Sequence, residues 1–168
     1  MAKAKKPQEK LGGPYLIAAF FCEKTVEDKA DNCIIAIRLL DRLIFKLEGS
    51  APADFPSSDN RLPIAISGLV AFRTGDSPGE HEIRLEMESP SGKRADIYKQ
   101  TFMFGSDPYS GVNIRVENVI NVMKGGLFWM NVYLDDKLFT STPLEIVVEK
   151  TSQPLPAIAH ARTMSPSN

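Results

Sequence analysis

Between Gly79 and Ser91 the chain runs Gly-Glu-His-Glu-Ile-Arg-Leu-Glu-Met-Glu-Ser-Pro-Ser. Ile83, Leu85 and Met87 alternate with Glu82, Arg84, Glu86 and Glu88. Successive side chains of a β-strand point to opposite faces, so a period of two assigns one apolar face to a core and one charged face to water. The same alternation returns twice. Val112, Ile114 and Val116 alternate with Asn113, Arg115 and Glu117, and Phe128, Met130, Val132 and Leu134 alternate with Leu127, Trp129, Asn131 and Tyr133. No helical pattern of comparable length competes with these segments.

The remaining elements follow from turn residues and apolar runs. A first strand is expected from about Tyr15 to Glu23, with a charged turn or loop over Lys24 to Asn32. Cys33 to Leu47 reads as two strands divided by a bend near Leu40-Asp41, with Leu43 and Phe45 inward on the second. Gly49 to Pro63 is the longest irregular segment, and Phe55 is its one large apolar residue. A strand broken by Gly68 is expected over Ile64 to Arg73, then a turn over Thr74 to Gly79. Arg94 to Gly105 resumes the extended pattern, with Phe102 and Phe104 on one face, and Ser106 to Gly111 turns the chain into Val112 to Val119. Lys124-Gly125-Gly126 opens a hairpin that Asp135-Asp136-Lys137 reverses. In the return strand, Pro143 suggests an edge position or a bulge.

About eight strands with regular turns imply two packed sheets. The expected fold is all-β, an immunoglobulin-like or C2-like antiparallel β-sandwich. It occupies residues 15–150 as a single domain, with a flexible basic N-terminal tail over 1–14 and a flexible C-terminal tail over 151–168.

A formal net charge of -1 supplies no global field for nucleic acid or an acidic membrane, so neither partner is expected. No run reaches the length needed to cross a bilayer. The lysines before Leu11 are followed by Gly12-Gly13-Pro14 and not by an unbroken apolar stretch, so a cytoplasmic location is expected. Cys22 and Cys33 each sit in an apolar run and read as two separate buried thiols, with a disulfide across neighbouring strands left open for an exported chain.

Candidate sites are few. His81 stands between Glu80 and Glu82, but neighbours in a strand point to opposite faces, so neither carboxylate reaches the imidazole. A packing or capping role is expected for it. Asp28, Asp31, Asp54, Asp59, Asp76, Asp107, Asp135 and Asp136 lie in turns without an Asp-x-Asp-x-Asp run, and solvation explains them without a metal. No phosphate-binding glycine loop and no Gly-x-Ser-x-Gly occurs. No catalytic residue, metal ligand or cofactor is assigned.

What remains is the aromatic strand. With Phe128, Met130, Val132 and Leu134 inward, Leu127, Trp129 and Tyr133 stand on the opposite face as interface residues. The alternative places Trp129 in the core with the long loop covering the other face. Phe55 on that loop is the fourth candidate. The reading is a non-catalytic protein-binding or assembly module, whose partner is another protein or a second copy of the chain. A calcium- or carbohydrate-binding module and an enzyme with an unrecognised site are the alternatives.

Gly79-Glu80-His81-Glu82-Ile83-Arg84-Leu85, then Ser89-Pro90-Ser91-Gly92-Lys93, then Gly126 to Asp136 resemble an uncharacterised family of small bacterial β-sandwich proteins. The opening apolar strand, the charged turn, the Gly-x-His strand and the Pro143-Leu144 return strand extend the resemblance over most of residues 15–148. It implies the fold and carries no activity, cofactor or site residue. The closing hairpin is also similar to the last strands of immunoglobulin-like and fibronectin-like modules, a fold that hosts many unrelated functions.

Overall fold

A computed structural model of the chain describes residues 12–30, 33–47 and 54–150. The alternating segments form nine strands: β1 (Tyr15–Glu27), β2 (Ile34–Leu40), β3 (Arg42–Leu47), β4 (Leu62–Arg73), β5 (Gly79–Glu88), β6 (Arg94–Phe104), β7 (Gly111–Val122), β8 (Gly126–Leu134) and β9 (Lys137–Lys150). They make a four-stranded sheet in the order β2-β1-β4-β7 and a five-stranded sheet in the order β3-β9-β8-β5-β6. Val70 and Phe72 from the first sheet meet Ile83, Leu85, Met130, Val132, Leu144 and Ile146 from the second, all essentially without solvent exposure. The inward positions read from the alternation are the core.

The strand order is that of an immunoglobulin-like sandwich. β9, β8, β5 and β6 lie as G, F, C and C′ do, and β4 lies beside β7 as B lies beside E. β1 is an added strand, inserted between β2 and β4. The crossing from one sheet to the other occurs at Asp41, whose carbonyl accepts from Glu145 N at 2.8 Å. The crossing chain keeps its direction, so β3 pairs parallel to β9 within the otherwise antiparallel sandwich. That crossing closes one side of the sandwich. On the other side β6 and β7 are both sheet edges.

Several boundaries move for reasons of pairing. β1 continues to Glu27 because Lys24 to Glu27 pair with Ile37 to Ile34, which shortens the charged loop. β4 runs unbroken through Gly68, where a Cβ would lie 2.8 Å from the Phe20 carbonyl oxygen. The glycine permits the close approach of β1; it does not end the strand. β7 extends to Val122 by pairing with Leu62. Pro143 belongs to β9, which is flanked on both sides. β3 joins β9 only from Glu145 onward, so the proline sits where that side of the strand is locally open. Cys22 is buried but Cys33 is exposed, because it precedes β2 and lies six residues from Leu39, the partner of Cys22.

The end of the expected N-terminal tail is anchored: Gly12 N donates to Tyr15 Oη at 2.6 Å, and Ser77 Oγ donates to the Gly13 carbonyl at 2.9 Å. The rest of that tail, residues 49–53 of the long loop and the 151–168 tail lie outside the described residues. Among the described residues no helix is long and apolar enough to cross a membrane.

Candidate functional site

The outer face of the five-stranded sheet is organised by the register of β8. Trp129 stands opposite Glu88 of β5 and Pro143 of β9. Asn131 stands opposite Glu86 and Ser141, and Tyr133 opposite Arg84 and Leu138. On the far side of β5, Arg94 of β6 is the partner of Glu88. Residues i and i+4 of a strand share a face about 13 Å apart, so Trp129 and Tyr133 frame Asn131.

The polar groups between the aromatic side chains satisfy one another. Glu86 Oε1 accepts from Asn131 Nδ2 at 3.2 Å and from Tyr133 Oη at 3.3 Å, and its Oε2 accepts from Arg84 at 3.3 Å. Glu88 accepts from Arg94 at 2.9 Å and from Asn131 at 3.3 Å. Ser141 Oγ donates to Asn131 Oδ1 at 2.6 Å, which fixes the orientation of the amide. Arg84 also donates to Asp96 at 3.2 Å, and its guanidinium carbon lies 4.0 Å from the centre of the Tyr133 ring. Partial burial opposes the charge on Arg84, but Asp96, Glu86 and Tyr133 outweigh it and raise its pKa above the ordinary value.

The result is a preorganised surface. Side chains of Glu86 and Arg84 are only 12% and 19% exposed, so their positions are held by packing as well as by charge. Trp129 and Tyr133 are half-buried, while Leu127 and Leu138 are exposed. Trp129, Tyr133, Leu138 and the polar groups between them line a shallow depression of about 340 Å³. The candidate site is therefore a pair of half-buried aromatic side chains with satisfied polar groups between them.

Leu127, Trp129 and Tyr133 therefore lie on the face expected for them, and the alternative with Trp129 in the core does not hold. Phe55 is half-buried in the 54–61 segment and does not line the depression. Sequence reasoning passed over Arg84, Glu86, Arg94 and Asn131. The alternation marked the charged face of β5 as facing water, yet three of its side chains are sheltered by β6 and β8. The available signal was Asn131, a buried amide at an outer position of an otherwise apolar strand.

His81 finds a carboxylate that its own strand does not supply. Its Nδ1 lies 2.6 Å from Asp135 Oδ2 and its Nε2 lies 2.9 Å from the Ser77 carbonyl, while its ring packs on Phe104. Asp135 and Asp136 have φ of 48° and 61°, the left-handed geometry of a tight hairpin turn. This geometry presents Asp135 to β5, where its Oδ1 accepts from Glu82 N at 2.9 Å. Partial burial pushes the Asp135 carboxyl up, but the hydrogen bonds from His81 and Glu82 N and the charge of His81 bring it below its usual value. A depressed folded pKa contributes stability above the unfolded value, and that stability is lost as pH falls through the folded one. Asp135→Asn keeps the turn and the bond from Glu82 but loses the charge. It is expected to melt below wild type at neutral pH, with the gap closing as the pH drops below the ordinary carboxylate range. A gap that stays constant between pH 7 and pH 3 in thermal melts would contradict this role.

No protein-family model matches the chain, and a search of curated proteins finds no relative. Among solved structures, a β-glucosidase from Listeria innocua in complex with glucose aligns with a TM-score of 0.43 and 10% identity, over 83% of this chain and 17% of the glucosidase. An alkylpurine DNA glycosylase from Pseudomonas fluorescens, bound to DNA containing an abasic site analogue, aligns with a TM-score of 0.37 and 9% identity, over 63% of this chain and 27% of the glycosylase. An immunoglobulin-like protein from Pseudomonas aeruginosa aligns with a TM-score of 0.36 and 9% identity, over 82% of this chain and 98% of that protein. The chain thus spans less than a third of either enzyme, and likeness at this level transfers no activity.

Proposed function

We propose that this chain is a non-catalytic binding or assembly module that recognises a protein partner through the outer face of its five-stranded sheet. The observation that carries the reading is the pair Trp129 and Tyr133, half-exposed on either side of an amide and two carboxylates whose hydrogen bonds are already made. Large aromatic side chains on a rigid surface remove much area from water and lose little conformational freedom on binding. A catalytic site needs converging groups with free valences in a concavity, and here the polar groups are consumed by one another. A cytoplasmic location and kinship with the small bacterial β-sandwich family belong to the same proposal.

The test is affinity purification of the tagged full chain from its native cells at near-physiological salt, with co-purifying proteins identified by mass spectrometry. A stoichiometric partner is expected, either another protein or a second copy of this chain. Trp129→Ala and Tyr133→Ala are each expected to weaken that partner roughly 30-fold, the loss typical of a central aromatic anchor, with the fold retained. Retained affinity in both variants would exclude this face.

One observation favours a second reading. Two aromatic residues four positions apart on one strand face, with Asn131, Glu88, Arg94 and Ser141 in the same depression, also suit an oligosaccharide. Quenching or a shift of the single tryptophan's fluorescence by oligosaccharides, without a protein partner, would move the assignment there. For the calcium version, among the described residues no three His, Cys, Asp or Glu side chains are grouped to hold a metal ion.

A further inference from the structure

The side of the sandwich away from the Asp41 crossing is bordered by two strand edges, β6 and β7, that belong to different sheets. Asn118 Nδ2 of β7 donates to the Ile97 carbonyl of β6 at 3.0 Å, and beside that link a groove opens between the sheets near the turn that joins β5 to β6. One part of it, about 290 Å³, is floored by Met87, Ile97, Ile120 and Phe128. The adjoining part, about 330 Å³, runs past Pro90 and Gly125. The two parts share Ser89, Asn121, Met123 and Phe128, so they adjoin one another. Met87, Ile120 and Phe128 are core residues, so the floor is the flank of the hydrophobic core itself.

The rim has the opposite character. Arg61 and Lys93 border the first part and Lys124 borders the second. Arg61 Nε donates to the Ser58 carbonyl at 3.3 Å, not to a carboxylate. Lys93 and Lys124 make no ion pair among the described residues. Asp96 is the one carboxylate of the lining, and Arg84 engages it from the other side at 3.2 Å. Three cations with one already-paired acid leave an uncompensated positive rim above an apolar floor. Sites for small ligands share this plan, mostly apolar with a few charged groups that fix the orientation.

We propose that this groove binds an anionic amphiphile, a long-chain carboxylate whose acyl chain lies along Met87, Met123 and Phe128 and whose head sits among Arg61, Lys93 and Lys124. The aliphatic chain matches an apolar floor of Met87, Ile97, Ile120 and Phe128, and the thioethers of Met87 and Met123 adapt to an unbranched chain. The charge complementarity selects the carboxylate over a neutral or cationic head. The site is separate from the sheet face, since neither Trp129 nor Tyr133 lines the groove.

Decanoate, below its micelle concentration, is the probe for calorimetric titration of the full chain, with decyltrimethylammonium and acetate as comparisons. Decanoate is expected to saturate a single site, and its NMR perturbations should include the Met87 and Met123 methyl groups. The cationic analogue should bind at least about tenfold more weakly, and acetate should not bind at all. The double variant Lys93→Glu with Lys124→Glu, both exposed side chains, should weaken decanoate about tenfold or more and remove the preference for the anion. Absence of saturable decanoate binding overturns the proposal, as does equal affinity for the cationic analogue or methyl shifts confined to methionines other than Met87 and Met123.

Discussion

Replacing Phe72 with alanine is expected to lower the stability of the fold by about 3–5 kcal/mol, the cost of deleting a fully buried ring and leaving a cavity. Phe72 has 0% exposure near the C-terminal end of β4, where it pairs with Leu16 of β1 and Val112 of β7. Its ring meets that of Phe139 from the other sheet edge-to-face, with centroids 5.5 Å apart and planes at 78°. The truncation therefore removes apolar burial and an inter-sheet aromatic contact together. Domains of this kind have total stabilities of about 5–15 kcal/mol, so the variant should stand close to unfolding. Urea denaturation is the measurement, with a lower midpoint and an unchanged slope expected. Leu138→Ala, at a side chain 50% exposed, should stay within about 0.5 kcal/mol of wild type. If the two variants melted alike, Phe72 would not be a core residue.

Glu86→Ala should be the most damaging single change on the outer sheet face, at about 2–3 kcal/mol. Its carboxylate accepts from Arg84, Asn131 and Tyr133, and Arg94 Nε lies 3.8 Å away. Removing it strands sheltered donors, each costing about 1–3 kcal/mol if no substitute arrives. Asp96 still holds Arg84, and Glu88 still holds Arg94 and Asn131, which caps the loss. Glu86→Gln keeps the shape and one acceptor and should fall between wild type and alanine. The comparison is Glu23→Ala, which breaks an ion pair with Arg38 whose side chains are 54% and 74% exposed. Pairs so exposed are worth about 0–1 kcal/mol. Chemical denaturation of the variants decides the matter: a Glu86→Ala loss no larger than that of Glu23→Ala would mean that the network is ornamental. Glu86→Ala should also loosen Tyr133, whose hydroxyl Glu86 holds, and on the proposed function that would reduce partner binding.

The legibility of this chain varied with the range of the interaction. The two strands on which the alternation is cleanest, those of Ile83-Leu85-Met87 and Phe128-Met130-Val132-Leu134, bury those residues as expected. The division near Leu40-Asp41 was visible because a charge interrupts an apolar run there, and the strands part at that point. Gly68 was misread because glycine weakens a strand by propensity, while here the neighbouring backbone of Phe20 needs the space a side chain would fill. Cys33 was misread because its apolar neighbours belong to an edge strand, and an edge leaves Ile35, Ile37 and Leu39 exposed as well. The aromatic half of the candidate face was found from alternation alone. Its charged half was not, since Glu86 is joined to Asn131 and Tyr133 across 45 and 47 residues of chain.

The sequence by itself determined which segments are strands and which of their faces turn inward. That information is local, because the two-residue period of a pleated chain is written in consecutive side chains. Only the tertiary structure decided which strands are neighbours. Sheet order placed Arg84, Glu86 and Glu88 against Asn131 and Tyr133, and it brought His81 to Asp135. It sent β3 alongside β9 and left β6 and β7 as edges of different sheets beside a groove. Those choices depend on how the whole chain closes around one core, and no window of sequence contains them.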